Sequence, residues 1–406
     1  MPFESLRSIA KNRWLFYTFA LICLILAGLL WKHDFDTSEL HGTKPLIRSG
    51  PWGDLQEWDL RLEHAPEFAS SSSVSQPPWG LGTLSPQSVQ DLLRQSGCSE
   101  QQTALLMRGL SRTPEGRTTL VPDREALLSL SPEVRSKLYL SIARDPLNGI
   151  MATPVLVPDG KLKRVFVSHP HLYPKVKDLM GKLCYRRNGF TYFSDVDFVK
   201  SQLESEKDKV DFQRAISGIE AVNARLIIRD DTDIDKPINY WGVAMNGVLL
   251  KDLRPFFEAE KALPHGGTLS ILYVLPPMAR ARLFTSPLPP DPRHPEQALP
   301  NCHWTALNFF KATPDDQLTN NEYAAKYLLS NYYQIENPGM AGDLVLLKDK
   351  KGEVIHSAVF LADDLVFTKN GVTHAQPWIL MHIKEMAAHY SAIDPVDICF
   401  YRQRGM

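Results

Sequence analysis

The chain has 406 residues, 44% of them hydrophobic and 22% charged, with a formal net charge of -1. That length accommodates two or three domains with a sizeable core, and the composition excludes a disordered or collagen-like chain. Near-neutral charge gives no electrostatic case for nucleic acid. No C-x-x-C pair or His/Cys cluster with metal-ligand spacing calls for a metal or other cofactor.

Residues 14–31, from Trp14 to Trp31, carry no charge after a basic tail, residues 1–13, that holds Arg7, Lys11 and Arg13. A helix of this length nearly matches a hydrocarbon core of ~30 Å, with Trp14, Tyr17 and Trp31 at interfacial positions. The stretch predicts a single-pass anchor in the cytoplasmic membrane, with the bulk of the chain extracytoplasmic, on the periplasmic side. A cleaved signal peptide is the alternative, but the apolar run is long for one and no small-x-small site follows Leu30. With Cys302 kept free, an oxidising compartment permits at most one disulfide among Cys98, Cys184 and Cys399.

Residues 32–83, with Ser70-Ser71-Ser72-Ser73 and Pro77-Pro78, read as a stalk or linker, parts of which dock through Trp52, Trp58 and Trp79. Residues 84–290 read as a mostly helical, then mixed, region with no assigned role. Ser85-Pro86 and Ser131-Pro132 are each an N-cap followed by proline at the first helical position. Residues 151–200 look β-like, 196–228 predict one or two helices, and Thr268–Leu275 predicts a buried strand. The acidic run Asp230–Asp235 lacks the glycine and distal glutamate of an EF-hand loop and reads as a solvated turn.

In the last domain, 291–406, Cys302 opens a helix carrying Ala306, Leu307, Phe309 and Phe310 on its apolar side. A turn ending in Gly342-Asp343 leads into a strand over 344–347. His356 begins the strand His356-Ser357-Ala358-Val359-Phe360-Leu361, and Asn370-Gly371 marks a tight turn. A helix N-terminus lowers a thiol pKa and a histidine can hold the resulting thiolate, so this order predicts a cysteine nucleophile near neutral pH.

Cys302, Gly342-Asp343-Leu344-Val345 and His356-Ser357-Ala358-Val359-Phe360 together resemble the NlpC-like branch of the papain-like cysteine peptidases. Cys302-His303-Trp304 is similar to the Cys-x-Trp of the related CHAP amidases. The resemblance covers about the last hundred residues and implies a helix packed on a small antiparallel sheet, hence an α+β chain overall. It implies Cys302 as nucleophile, His356 as its base and a polar residue on a neighbouring strand that orients the imidazole. Asn370 is the first candidate for that third role, with Thr368 and His374 as alternatives. His303 is expected to project away along the helix, and the amides of residues 302–303 to form one side of an oxyanion hole. Where NlpC-like enzymes carry Asp-Cys-Ser-Gly, this chain has Asn301-Cys302-His303-Trp304.

The resulting expectation is a membrane-anchored thiol hydrolase that cleaves an amide bond in peptidoglycan peptides or a protein substrate. The alternative is an inactive papain-like scaffold or binding protein at the cell envelope, with residues 84–290 as its working part.

Overall fold

Near-continuous apolar runs near the C-terminus build the sheet that carries the site. In the computed structural model, which describes residues 46–63, 77–243, 250–288, 293 and 299–406, this sheet has six antiparallel strands. In chain order they follow β1 (Leu46–Gly50), β2 (Gly53–Leu62), β3 (Trp79–Gly80), β4 (Leu110–Arg112), β5 (Thr118–Leu120), β6 (Val155–Leu156), β7 (Tyr185–Arg187), β8 (Phe190–Phe193), β9 (Ile219–Ile228) and β10 (Gly267–Ser270). The six are β11 (Tyr332–Ile335), β12 (Leu344–Lys348), β13 (Val354–Ala362), β14 (Leu365–Lys369), β15 (Trp378–His382) and β16 (Asp397–Gln403), ordered β11-β16-β12-β13-β14-β15. A second antiparallel sheet runs β1-β2-β9-β10, and two small ones run β3-β5-β4 and β6-β8-β7.

Both faces of the sheet are buried across β12 to β15, while β11 and β16 are largely half-buried or exposed. Leu344, Leu346, Val359, Leu361 and Phe367 join Trp304, Leu307 and Phe309, contributed by the helix Cys302–Leu307 and the residues just after it. Val345, Leu347, Ala358, Phe360 and Val366 meet Met386 of the helix Ile383–Tyr390 on the other face. The first of these cores also contains Leu55, Val222, Ala224, Leu226, Leu253 and Phe257. The 46–62 hairpin and the 219–283 segment therefore share one core with the Cys302 helix. A second core is built from Trp79 to Ile216.

Several expectations are corrected. Among the described residues no helix is long and apolar enough to cross a membrane. The 14–31 stretch on which the anchor was placed lies outside those residues, so the predicted transmembrane helix, cytoplasmic-membrane location and periplasmic placing are not carried forward. Residues 46–62 are not stalk but two paired strands, with Leu55 fully buried. The middle region is mixed rather than mostly helical. After the helix Glu206–Ser217, Gly218 ends the turn and Ile219–Ile228 pairs along its whole length with β2 and β10. Alternate burial of Val222, Ala224, Leu226 and Ile228 is a strand period, not a helical one. The 268–275 segment is strand only to Ser270 and continues as a 3₁₀ turn. The two serine caps do form, Ser85 accepting from Ser88 N and Ser131 from Val134 N.

Two local devices fix the Cys302 helix against the sheet. The Arg282 guanidinium lies 4.9 Å from the ring centroids of both Trp304 and Trp378, which ties the helix Pro277–Arg282 to the Cys302 helix and to β15. The turn into β12 depends on Gly342, at φ 104°, where a Cβ atom would sit 2.1 Å from the Phe310 ring. The next residue, Asp343, is fully buried. It accepts hydrogen bonds from Arg402 Nε (2.8 Å) and Nη2 (2.7 Å) and from the amides of Gly339 (2.8 Å) and Met340 (3.1 Å). Asp343→Ala strips four donors of their acceptor at once and is expected to destabilise the fold by about 3 kcal/mol. Urea unfolding checks this through a lowered midpoint with an unchanged slope.

Candidate active site

Cys302 occupies the first helical position because Asn301 caps the helix. The Asn301 side-chain oxygen accepts from Trp304 N at 2.8 Å, and Thr305 Oγ1 donates to the Asn301 carbonyl at 2.8 Å. The helix is only six residues long, so its macrodipole is small. The field at the sulfur comes instead from individual groups. The backbone amides of Ser357, His303 and Cys302 itself, together with the positive charge of Lys369, favour thiolate. Burial opposes them and wins: Cys302 is 8% exposed, and its thiol is pushed above the ordinary value. The expected low-pKa thiolate is thus corrected to a thiol that is neutral at rest. The described cysteines Cys98, Cys184, Cys302 and Cys399 are all free.

His356 is fully buried at the start of β13. Its Nε2 lies 2.9 Å from Thr368 Oγ1, and Thr368 Oγ1 in turn donates to the Ser357 carbonyl at 3.3 Å. A hydroxyl has one proton, so Thr368 must accept from His356, which assigns the imidazole proton to Nε2 and the lone pair to Nδ1. That Nδ1 is buried and has no hydrogen-bond partner. The ring stacks on Tyr390 with centroids 4.3 Å apart. Burial, helped by neighbouring His303 and His389, holds His356 well below its ordinary pKa, so the imidazole is neutral.

Strand alternation decides which groups meet. Ser357 and Lys369 share the sheet face of Val359 and Phe367, under the Cys302 helix, whereas His356 and Thr368 share the face of Ala358 and Val366, under the 383–390 helix. The Cys302 helix reaches the sheet at Ser357, the residue after His356, where the Ser357 hydroxyl meets His303 Nδ1 at 2.7 Å. Tyr390 connects the two sides as well. It stacks on His356, its hydroxyl accepts from the Gly371 amide, and burial together with the nearby Cys302 raises its pKa.

Thr368, not Asn370, is the polar partner of His356. The Asn370 amide nitrogen donates to Met381 Sδ at 3.3 Å, and its Oδ1 is buried without a partner. His374 lies in the connection between β14 and β15, half-buried. His303 does not project away: its Nδ1 sits 2.7 Å from Ser357 Oγ, and burial lowers its pKa.

Lys369 is the buried charge of this site that the sequence reading missed. It is fully buried, donates to the carbonyls of Gly371 (2.9 Å) and Thr373 (3.0 Å), and is pushed down to about 8 by burial. A lysine in the apolar strand Leu365-Val366-Phe367-Thr368-Lys369 was the available signal.

The arrangement defines a class: a buried cysteine and a buried neutral histidine at the open end of an antiparallel sheet, with a threonine fixing the tautomer. Comparison with protein-family models, with curated proteins and with solved structures finds no match for the chain.

Because the folded-state pKa values of His356 and His303 lie below the free value of ~6.5, the unfolded chain binds more protons as pH falls. The stability they confer is complete above that value and is lost progressively below it. The melting temperature is therefore expected to fall between pH 7 and pH 5, and His356→Gln to flatten that fall, as calorimetry at the two pH values would register.

Proposed function

We propose that this chain is a thiol-dependent acyl hydrolase that cleaves an amide bond through Cys302 and His356. The observation that carries this reading is His356 Nδ1: a buried lone pair of fixed tautomer, without a hydrogen-bond partner, one residue from Ser357, where the Cys302 helix meets β13. A buried acceptor left unpaired costs about 1–3 kcal/mol, and a proton arriving from the thiol removes that cost.

The reaction starts from two neutral groups. As the sulfur attacks the carbonyl, His356 Nδ1 takes the Sγ proton, and Thr368 holds the ring while it carries charge. The amides of Cys302 and His303 at the helix start are the donors this reading assigns to the developing oxyanion. The imidazolium returns the proton to the leaving amine. Nδ1 then deprotonates a water that hydrolyses the thioester. The resemblance to NlpC-like enzymes suggests peptidoglycan stem peptides as first substrates, with protein amides next.

A second reading, a non-catalytic binding module, is favoured by one specific feature: Nδ1 makes no hydrogen bond to the sulfur, and the thiol is pushed up rather than down. The two separate on covalent chemistry. The full chain is incubated with stem peptides and with an activated thioester, and Cys302 acylation and peptide cleavage are followed by mass spectrometry. Hydrolase chemistry predicts an acyl adduct on Cys302 and none in Cys302→Ala. His356→Ala is expected to slow acylation about a hundredfold or more, and Thr368→Val about tenfold, the value of one ring-orienting hydrogen bond. No adduct on Cys302 from any acyl donor would leave the binding module as the surviving reading.

A further inference from the structure

We propose that Lys369 is the counter-ion of the Cys302 thiolate, a positioning charge that makes the nucleophile available while His356 remains neutral. The proposal rests on Cys302 as the nucleophile. It assigns to Lys369 the electrostatic role that an imidazolium would otherwise fill.

Register supplies the geometry. In the β13–β14 pair Val359 faces Phe367, and continuing that antiparallel register by two residues sets Ser357 opposite Lys369. Ser357 is also the residue whose hydroxyl meets His303 Nδ1 at 2.7 Å, next to Cys302 on its helix, and the Ser357 and Lys369 side chains both lie on the face under that helix. An ammonium group has three donors. Two of those on Lys369 go to the carbonyls of Gly371 and Thr373. The third has no carboxylate to meet: among the described residues no Asp or Glu forms an ion pair with Lys369, which is fully buried. A buried cation needs a counter-charge.

The ionisable groups around the sulfur are His303 on its own helix, His356 on β13, Lys369 on β14, and His389 and Tyr390 on the 383–390 helix. Burial keeps the three histidines neutral, and Tyr390 stays protonated. Lys369 is thus the cation in this set, and Cys302 the group that becomes its anion when the Sγ proton is taken. No proton moves through Lys369. It is charged before the reaction, the Sγ proton leaves to His356 Nδ1, and the ammonium stays in place opposite the thiolate.

The test is the rate of iodoacetamide alkylation at Cys302 in the full chain from pH 6 to 8.5, read on the Cys302 peptide by mass spectrometry. Lys369→Met is expected to slow alkylation about tenfold at pH 7, one unit of thiol pKa, and Lys369→Arg to restore it. Equal rates in the wild type and Lys369→Met would overturn the proposal.

A second measurement reads the thiol itself. Because Lys369 titrates before the thiol ionises, the linkage shows on Cys302 while Lys369 is still charged, below its midpoint of about 8. The onset of thiolate absorbance is followed over that range with every other cysteine of the chain replaced by serine. That onset should move to higher pH in Lys369→Met and return toward the wild-type value in Lys369→Arg, and an unchanged onset in Lys369→Met would overturn the pairing. Absence of an acyl adduct with this linkage intact would instead count against the hydrolase reading alone.

Discussion

Ser357 is the residue on which the site depends. Its carbonyl accepts from Thr368 Oγ1, and its hydroxyl meets His303 Nδ1, next to Cys302. Those two bonds tie the Cys302 helix on one face of the sheet to the His356–Thr368 pair on the other. A strand sends neighbouring side chains to opposite faces, so Cys302 over one face and His356 under the other approach each other around the Ser357 backbone, near the start of β13. A one-residue slip of β13 against β14 would exchange His356 and Ser357 between faces and dismantle both halves. The buried Asp343–Arg402 pair and the Phe310 ring over Gly342 hold the neighbouring strand β12 against that slip.

The electrostatics follow from burial. Three amides and one ammonium favour the thiolate, yet removal from water outweighs them, and the thiol stays protonated at rest. His356 is kept neutral by the same low-dielectric surroundings. The site therefore stores no ion pair between nucleophile and base. It stores an unpaired lone pair and a buried cation, and both become satisfied when negative charge develops on sulfur.

Much of the C-terminal architecture was legible because apolar runs and turn residues are local signals. The strands over 344–348, 354–362 and 365–369, the cysteine-headed helix and the serine caps follow from them. What was not legible depends on three-dimensional pairing. Asn370 and Thr368 both sit near the end of β14, and chemistry alone favours the amide, but Met381 takes the Asn370 side chain and leaves Thr368 to the imidazole. His303 turns toward the sheet because Ser357 Oγ is there to meet it, a partner 54 residues away in sequence. Lys369 looks like an ordinary strand-end charge until the helix closes over it. Residues 219–228 looked helical because their alternation becomes decisive only beside β2. The apolar run at 14–31 matches a membrane span in length and composition, but no helix among the described residues has that character.

The central claim is that His356 presents an unprotonated Nδ1 to the nucleophile. Nitrogen-15 NMR of histidine-labelled full-length protein at pH 7 tests it most directly. The account predicts a neutral His356 with its proton on Nε2 and an Nδ1 signal that shifts when Cys302 is replaced by alanine. An imidazolium at pH 7, a proton on Nδ1, or an Nδ1 signal blind to Cys302→Ala would contradict it.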